Sequence, residues 1–313
     1  MSPETDAEWL AYFRSSGYPL ASKIAVGMEG TVYCLRDEEL VAKVWCRRSE
    51  KDLGLLKEFY DRLKQRLDDI ATPEILDVFL VSGTLVSLER FLPGMPLQKR
   101  LAVCATHADQ TAVRATAEVL LCLRRICPEG ALRKLQILDE ATSPWQSARK
   151  WSEAIQPIVA RRMKRFGRQL AGEVAELDDI VAGVNAFLQT RDDTQMGLLH
   201  GDLCGANILV DNSARPTAVI DFGFLSTMGD PAFDASISSA IFDMYGPSAR
   251  SLDDQVTGMF ECMLGYSRDV LLAYRALYCL LTSNAYSSEG NDGHFKWCVA
   301  MLKRGDVRRA LEA

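Results

Sequence analysis

The chain has 313 residues, of which 48% are hydrophobic and 25% are charged, a composition that excludes extensive disorder and suits one folded unit of two lobes. Its formal net charge of −6 argues against a broad nucleic-acid-binding surface, which needs a concentrated basic face. No stretch reaches the roughly 18 apolar residues of a membrane span, and the first residues lack the features of a secretory signal. The nine cysteines are scattered without a C-x-x-C pair, so we expect reduced thiols in a cytoplasmic protein that binds neither nucleic acid nor membrane.

The first part of the chain predicts a small antiparallel sheet that is interrupted by one helix. Apolar residues recur at helical spacing from about Ser49 to Leu67. Pro93, Gly94 and Pro96 then break the chain, so we expect an N-terminal lobe over residues 1–93 that ends in a hinge. The β-type runs are Ile24–Val26, Thr31–Leu35, Leu40–Trp45, Ile75–Leu80 and Thr84–Phe91.

Residues 94–313 predict a larger, mainly helical lobe. Helical patterns cover 112–126, 145–170 and 175–189, and three more are expected between Asp234 and the C-terminus. A short hairpin is the exception, in which two apolar runs follow each other across a turn. These runs are Asn207–Val210 and Ala218–Ile220.

A set of polar residues around this hairpin indicates the chemistry. His200-Gly201-Asp202 precedes it, Asn207 begins it and Asp221-Phe222-Gly223 follows it. Mg²⁺ prefers hard oxygen ligands, such as a carboxylate and an amide together with nucleotide phosphates, and Asp221 and Asn207 are candidates for this role. A separate carboxylate must orient an acceptor hydroxyl and take its proton, and Asp202 is placed for that work.

The segment Leu198–Asp211 resembles the catalytic loop of the aminoglycoside phosphotransferase and choline kinase superfamily, in which H-G-D replaces the H-R-D of protein kinases. The resemblance implies a bilobal, protein-kinase-like α+β fold and a phosphotransferase that uses ATP, with GTP as an alternative, and Mg²⁺. Gly229–Asp234 resembles a later motif of this superfamily, whose final aspartate braces the catalytic loop. Asp234 and His200 are therefore expected to support the site rather than to react.

The resemblance also implies a nucleotide-binding role for the first strands. Ala25–Val32 is similar to the kinase glycine-rich loop, with Ala25 in place of the first glycine. Gly27 and Gly30 would let backbone amides approach phosphate closely. Lys43 ends a β-type run where a kinase-like lysine would reach the α- and β-phosphates.

Such a lysine needs a carboxylate to hold it, and the Ser49–Leu67 helix offers Glu58, with Glu50 as the competitor. Glu58 lies nearer the apolar face, which favours it. The run 85–94 resembles the hinge between the lobes. With Leu88 as the gatekeeper-like position, the Glu89 carbonyl and the Phe91 amide would bind the adenine edge. This placement can be wrong by one residue.

Two other kinds of kinase-fold protein are alternatives. A protein kinase needs a long regulatory segment after D-F-G, and residues 224–228 leave no room for one. A nucleotide-binding pseudokinase is the other alternative, but the presence of Lys43, Asp202, Asn207 and Asp221 gives no reason to expect lost catalysis.

The sequence predicts a small-molecule hydroxyl acceptor and leaves its identity open. An antibiotic of the aminoglycoside, macrolide or cyclic-peptide type, phosphorylated to give resistance, ranks first, and a small amino alcohol or sugar, such as choline or homoserine, ranks second. A basic stretch would repel a polycation if it faced the cleft; its members are Arg149, Lys150, Arg161, Arg162, Lys164, Arg165 and Arg168. Acidic residues that could attract a cation are Asp139, Glu140, Asp243, Asp253, Asp254 and Glu261. His107 and His294 have no ligand-spaced partners, and a monomer or weak homodimer is expected.

Overall fold

The computed structural model of the chain describes residues 3–27, 29–36, 39–67, 69–101, 106–127 and 129–312. Its N-terminal part is a five-stranded antiparallel sheet with the strand order β1-β2-β3-β5-β4. The strands are β1 (Ser22–Val26), β2 (Gly30–Arg36), β3 (Leu40–Trp45), β4 (Ile75–Val81) and β5 (Thr84–Arg90), and the helices are α1 (Asp6–Ser15) and α2 (Glu50–Lys64).

The two helices cover opposite faces of this sheet. On one face, Trp9 and Phe13 of α1 pack with Tyr33, Ala42 and Val86. On the other face, α2 packs with Trp45 and with the C-terminal part of the chain. The helix α1, which begins with a capping box between Thr5 and Glu8, is absent from the elements predicted by sequence.

The helix α2 forms where the apolar spacing predicts it. Ser49 caps its first turn, since the Ser49 hydroxyl accepts the Asp52 amide and the Asp52 carboxylate accepts the Ser49 amide. One face of the helix is buried and consists of Leu53, Leu56, Phe59, Tyr60 and Leu63. This face turns two aromatic side chains towards the catalytic segment.

The C-terminal part is mainly helical. Its helices are α3 (Gln110–Leu123), α4 (Trp151–Glu173), α5 (Leu177–Thr190), α6 (Ala232–Ala240), α7 (Ala249–Leu264), α8 (Arg268–Thr282), α9 (Gly293–Leu302) and α10 (Gly305–Arg309). Its short strands are β6 (Met95–Pro96), β7 (Gly197–Leu199), β8 (Ile208–Val210), β9 (Pro216–Val219) and β10 (Thr227–Gly229). The hairpin β8–β9 is the predicted one, and β6 pairs with its first strand.

The chain passes from the sheet to the helical part over residues 91–94. Gly94 has a φ of +130°, and a Cβ at this position would lie 2.6 Å from the Thr217 hydroxyl, so only glycine fits this turn without strain. The α+β, kinase-like fold class is confirmed, whereas the division of the chain at residue 93 stays a prediction. None of the described helices has the length and apolar character needed to cross a membrane.

Candidate active site

The catalytic loop between β7 and β8 is held by buried groups. The carboxylate of Asp234, in the first turn of α6, accepts the backbone amides of His200 at 2.5 Å and Gly201 at 2.8 Å. Gly201 has a φ of +80°, and a Cβ there would lie 2.3 Å from the Leu225 Cβ. Burial raises the pKa of Asp234 to about 7. This bracing is the one that the resemblance predicts for Asp234.

His200 is a neutral structural residue in this arrangement. Its Nε2–H donates to the Ile220 carbonyl at 2.8 Å, and its Nδ1 accepts the Asp202 amide at 3.2 Å. Burial lowers the pKa of His200 to about 4, and its ring packs 4.5 Å from the ring of Phe222. The imidazole therefore joins the catalytic loop to the D-F-G segment.

The Asp202 carboxylate lines a large cavity. Burial raises its pKa to about 7, and the charge of Asp221 adds to the effect. Because the most effective general base has a pKa near the working pH, Asp202 is well suited to take a proton from a hydroxyl group at neutral pH.

Asn207 directly precedes β8, and Asp221 follows the end of β9 by two residues. The Ile220 amide donates to the Asn207 carbonyl at 3.0 Å, and the Asn207 side-chain amide donates to the Asp202 carbonyl at 2.9 Å. That bond uses the amide nitrogen and leaves the side-chain oxygen as a potential ligand. Asp221 has a φ of +65°, a conformation that a non-glycine residue adopts at a cost and often at functional sites.

These two residues fit a magnesium site. A carboxylate and an amide oxygen are hard ligands, and Mg²⁺ in such sites completes its coordination with water and substrate phosphates. The described residues contain no cluster of three or more His, Cys, Asp or Glu side chains that would bind a metal alone. Any magnesium ion here would thus depend on the nucleotide for part of its coordination.

Lys43 reaches across from β3 to the D-F-G segment. Its ammonium lies 2.9 Å from Asp221 Oδ1, 3.7 Å from Glu29 Oε2 and 4.0 Å from the centre of the Trp45 ring. Burial disfavours its charge, but the carboxylates of Asp221 and Glu29 outweigh this and raise the pKa of Lys43. The same ammonium, although opposed by burial, lowers the pKa of Asp221.

The expected pairing of Lys43 with the α2 helix is wrong. Glu58 is exposed and pairs with Lys134 at 2.7 Å. It lies off the buried row that includes Phe59 and Tyr60, so its side chain is directed away from Lys43. Glu50, the competitor, is an exposed residue of the first turn of α2. The glutamate that contacts Lys43 is Glu29, which the sequence analysis missed although it lies inside the predicted glycine-rich loop.

The glycine-rich loop joins β1 to β2. The Gly27 amide donates to the Gly30 carbonyl at 2.8 Å, and a Cβ on Gly30 would lie 1.9 Å from the Val44 carbonyl oxygen. Glycine at position 30 thus allows β2 to approach β3 closely. Met28, also part of the predicted loop, lies outside the described residues.

One of the two expected adenine contacts, the Phe91 amide, is engaged within the sheet. The Phe91 amide donates to the Glu39 carbonyl at 2.9 Å and so continues the pairing of β3 with β5, which makes it unavailable to a base. Leu88 packs on the α1 side of the sheet. The side chain at the end of β5 that shares the face of Lys43 is therefore that of Glu89 rather than that of Leu88.

The cavity next to Asp202 has a volume of about 870 Å³. Asp202, Asp243 and Asp292 bring three carboxylates to its wall, and none of the described residues that line it is a lysine or arginine. Aromatic and imidazole side chains form much of the remainder, namely Phe242, Tyr245, Tyr278, Tyr286 and His294. The wall therefore suits a molecule that is both cationic and partly apolar.

Of the six acidic candidates, Asp243 lines this cavity and the other five do not. Asp139 and Glu140 instead pair with Arg161, Arg162 and Arg165. Another set of ion pairs joins Asp253, Asp254 and Glu261 to Arg275, Arg304 and Arg268. The basic stretch likewise contributes nothing to the wall, so it does not repel a cation there. Asp292, the tyrosines and His294 were missed because no local pattern links them to Asp202.

The fold and site together define a nucleotide-dependent phosphotransferase of the kinase-like class. The sequence profile described as "Phosphotransferase enzyme family" matches residues 21–259. The chain therefore belongs to this family, and it is a phosphotransferase with an alcohol group as acceptor.

Solved structures agree on the fold. An aminoglycoside phosphotransferase, APH(3'')-Id from Streptomyces rimosus, is 18% identical with a TM-score of 0.56, covering 88% of this chain and 98% of its own. The macrolide 2'-phosphotransferase MphH from Brachybacterium faecium is 21% identical with a TM-score of 0.54, and the match covers 96% of this chain and 98% of MphH. APH(2")-IIIa, in the structure of its GDP and kanamycin complex, is 15% identical with a TM-score of 0.61, and the match covers 94% of this chain and 96% of that one. No curated protein matches the chain in sequence.

Proposed function

We propose that the protein transfers the γ-phosphoryl group of ATP to a hydroxyl group of a cationic, multi-ring antibiotic, and that this modification gives resistance. The observation that carries the proposal is the Asp202 cavity, which combines three carboxylates and several aromatic rings and has no lysine or arginine among the described residues of its wall. A volume of about 870 Å³ lies near the upper end of the range for ligand pockets, which is roughly 300–1,000 Å³. Aminoglycosides and macrolides combine positive charge with several rings, and proteins of similar fold are phosphotransferases of both.

Asp202 is the catalytic base in this proposal. Its carboxylate orients the acceptor hydroxyl towards the γ-phosphorus and accepts the hydroxyl proton as the new oxygen–phosphorus bond forms and the bond from the γ-phosphorus to the bridging oxygen of ADP breaks, so that ADP leaves. Lys43 binds the phosphates, and the amides of the glycine-rich loop approach them from β1 and β2. The reaction then depends mainly on positioning and charge neutralisation.

Asn207 and Asp221 would hold Mg²⁺. The ion, when bound with the nucleotide, would neutralise charge on the β- and γ-phosphates. Lys43 keeps Asp221 ionised, as a metal ligand must be. We place this reaction in the cytoplasm, where nucleotide triphosphate is available.

A small amino alcohol is the second candidate acceptor. The tyrosines of the cavity, together with Asp202, resemble the surroundings that bind a single quaternary or tertiary ammonium group. Such a molecule would fill only part of the volume, which is why the larger acceptor ranks first.

The test is an acceptor panel. Purified protein, MgATP and individual acceptors (kanamycin, streptomycin, erythromycin, viomycin, choline and homoserine) are analysed by mass spectrometry for the addition of one phosphoryl group. The proposal predicts phosphorylation of an antibiotic with a kcat/KM well above that for choline or homoserine. Modification of a small amino alcohol alone would replace the first proposal by the second, and nucleotide turnover without any modified acceptor would contradict both.

Charge variants test the role of the cavity. Asp243→Asn and Asp292→Asn should each raise the KM of the cationic acceptor by about 10-fold, because hydrogen bonds to charged groups contribute about 1.5–3 kcal/mol. Asp254→Asn is the matched control, since Asp254 pairs with Arg250 and Arg268 outside the cavity. An equal effect of all three changes would show that overall charge, rather than the cavity, attracts the acceptor.

A further inference from the structure

A second cation lies near Lys43 at the phosphate end of the cleft, which is the end between the glycine-rich loop and the D-F-G segment. Arg48 belongs to the short connection between β3 and α2. Its guanidinium contacts Glu29 of the glycine-rich loop, and its side chain is only 18% exposed. Arg47, its neighbour in sequence, is exposed. The Arg48 side chain is therefore directed into the cleft rather than into solvent.

One carboxylate holds both cations. Glu29 Oε1 accepts the Nε–H of Arg48 at 3.1 Å and also contacts its Nη2 atom. Glu29 Oε2 lies 3.7 Å from the Lys43 ammonium. The Glu29 carbonyl accepts the Cys46 amide at 3.0 Å, which ties this part of the glycine-rich loop to the residues that follow β3. Glu29 thus sets the positions of the two cations relative to each other.

The Arg48 guanidinium also lies against the D-F-G segment. Gly223 has a φ of +137°, and a Cβ at this position would lie 2.6 Å from Arg48 Nη2. The guanidinium therefore occupies space that the glycine of D-F-G leaves open. Asp221, at the start of the same segment, contacts Lys43 at 2.9 Å. Arg48 consequently lies between the glycine-rich loop and the D-F-G segment, the two walls of the phosphate end.

The order of groups along the cleft assigns Arg48 to the outermost phosphate. Leu40, at the start of β3, pairs with Arg90 next to the hinge, so β3 runs from the hinge towards the glycine-rich loop. A nucleotide whose base lies at the hinge, as the sequence resemblance implies, extends its phosphates in the same direction. Lys43 lies within β3, whereas Arg48 lies beyond the end of this strand. The γ-phosphoryl group therefore comes closer to Arg48 than the other phosphates do.

The donors of Arg48 that Glu29 does not use suit a phosphoryl group. A guanidinium has five N–H groups in a planar fork that matches the oxygens of a phosphate. Glu29 takes the Nε–H and one N–H of Nη2, and Nη1 makes no hydrogen bond with the described residues. Two N–H groups on Nη1 and one on Nη2 therefore remain, and together they can bind two oxygens of the γ-phosphoryl group.

We propose that Arg48 is a catalytic residue that donates hydrogen bonds to the γ-phosphoryl oxygens. During transfer, the bond from the γ-phosphorus to the bridging oxygen of ADP breaks, the bond to the acceptor oxygen forms, and the hydroxyl proton passes to Asp202. Negative charge is spread over the γ-phosphoryl oxygens in the transition state, and Arg48 neutralises it, while Glu29 is the positioning residue that holds the guanidinium. This role rests on the proposed nucleotide-dependent transfer and adds a second phosphate-binding cation to Lys43.

The test compares MgADP with the magnesium complex of AMP-PNP, a nonhydrolysable ATP analogue that retains a terminal phosphoryl group, by calorimetry without any acceptor. Arg48→Gln should weaken binding of the analogue by about 10- to 100-fold, because hydrogen bonds to charged groups contribute that much. It should change ADP binding by less than about threefold, because ADP lacks the group that Arg48 contacts. Arg48→Lys keeps the charge without the fork and should have a smaller effect on the analogue. Arg47→Gln, the matched control, removes an exposed arginine and should retain both affinities.

A double variant and the rate of transfer distinguish catalysis from a structural role. Arg48→Gln should lower kcat at saturating ATP by at least about 10-fold, because charge stabilisation aimed at the transition state acts on the chemical step. If Arg48 served only to neutralise Glu29, removal of both charges in Glu29→Gln/Arg48→Gln would restore kcat and the binding of the analogue. We expect the double variant to be as defective as Arg48→Gln in both measurements.

The outcomes separate this role of Arg48 from the proposed function. Unchanged binding of the analogue in Arg48→Gln, equal weakening of both nucleotides, or recovery in the double variant overturns the role of Arg48, even where an acceptor is phosphorylated. A selective loss of analogue binding, together with an acceptor panel in which nothing is phosphorylated, supports Arg48 and refutes the acceptor proposal. Failure of the wild-type protein to bind either nucleotide refutes both.

Discussion

The pH dependence of phosphoryl transfer reports on the Asp202 carboxylate. Burial shifts the pKa of this group from its ordinary value of 3.8 to about 7, which corresponds to about 4 kcal/mol against its charged form. A base with a pKa of about 7 is only about one-tenth ionised at pH 6. We therefore expect kcat/KM to fall about 10-fold between pH 8 and pH 6, with a limiting slope of one in the logarithmic plot.

The assay is initial-rate ADP release between pH 5.5 and 9, with the acceptor that the panel identifies. The terminal phosphate of a nucleotide can also titrate near this range, as phosphate groups with a second pKa of about 6 do. The Asp202→Asn variant separates the two groups, because its residual rate lacks the carboxylate. An inflection that persists in Asp202→Asn, or a wild-type rate that stays constant down to pH 5.5, would refute the assignment of Asp202 as a base with a raised pKa.

Three further predictions follow from contacts within the site. Glu29→Gln should raise the KM for ATP by about 3- to 10-fold, because it removes a charge that holds Lys43. Glu58→Gln should change this KM less than twofold, since an exposed ion pair contributes little. Steady-state kinetics with both variants measure the two values, and equal effects would contradict the pairing of Glu29 with Lys43. Asp234→Ala should destabilise the protein by about 2–5 kcal/mol, because two buried backbone amides lose their acceptor; urea unfolding measures this, and a change below about 1 kcal/mol would contradict the bracing role. Asp202→Asn should stabilise the fold by on the order of 2–4 kcal/mol at pH 8. Because the folded-state pKa of Asp202 is raised, the wild-type carboxyl group is favourable to folding below about pH 4, and that benefit is lost as the pH rises through 7. The difference in thermal midpoint between Asp202→Asn and the wild-type protein should therefore widen over this interval. A difference that stays constant with pH would be inconsistent with the raised pKa.

The residues of the catalytic loop could be placed from sequence because local geometry holds them. His200, Asp202 and Asn207 lie within eight residues, and their hydrogen bonds run to one another or to the adjoining strand. Asp234 was placed by the resemblance of its own short motif. In these segments the number of residues between two side chains determines how far apart they lie in the fold. A sequence motif is therefore enough to predict their arrangement.

The partner of Lys43 and the side chain of β5 that shares its face could not be predicted, because each depends on which face a side chain takes. A shift of one residue in a strand moves every side chain to the other face. Leu88 has apolar neighbours on the α1 side, and Glu89 is directed into the cleft. Since β5 is covered on both faces, alternation of polar and apolar residues gives no guide to its orientation. The choice between Glu58 and Glu50 failed for a related reason, because the contacting carboxylate comes from a different element, the glycine-rich loop.

The Asp202 cavity was the least predictable part of the candidate site. Asp243 follows α6, Asp292 precedes α9, and Tyr278 comes from α8, so tertiary packing alone brings them to Asp202. The six acidic candidates could not be sorted by sequence because five of them are engaged in ion pairs with arginines elsewhere in the helical part of the protein. The charge of these residues, without their positions in the fold, therefore did not indicate the substrate.

The most direct test of the proposed phosphoryl transfer uses the variants Asp202→Ala and Asp221→Ala. It measures single-turnover transfer from radiolabelled MgATP to the identified acceptor, together with nucleotide binding. We expect both variants to fold and each to lose at least about 100-fold in the rate of transfer, because general-base and metal contributions are of that size. Asp202→Ala should keep its affinity for the nucleotide. Rates within about tenfold of the wild-type value in both variants would contradict the claim that these two carboxylates carry out phosphoryl transfer.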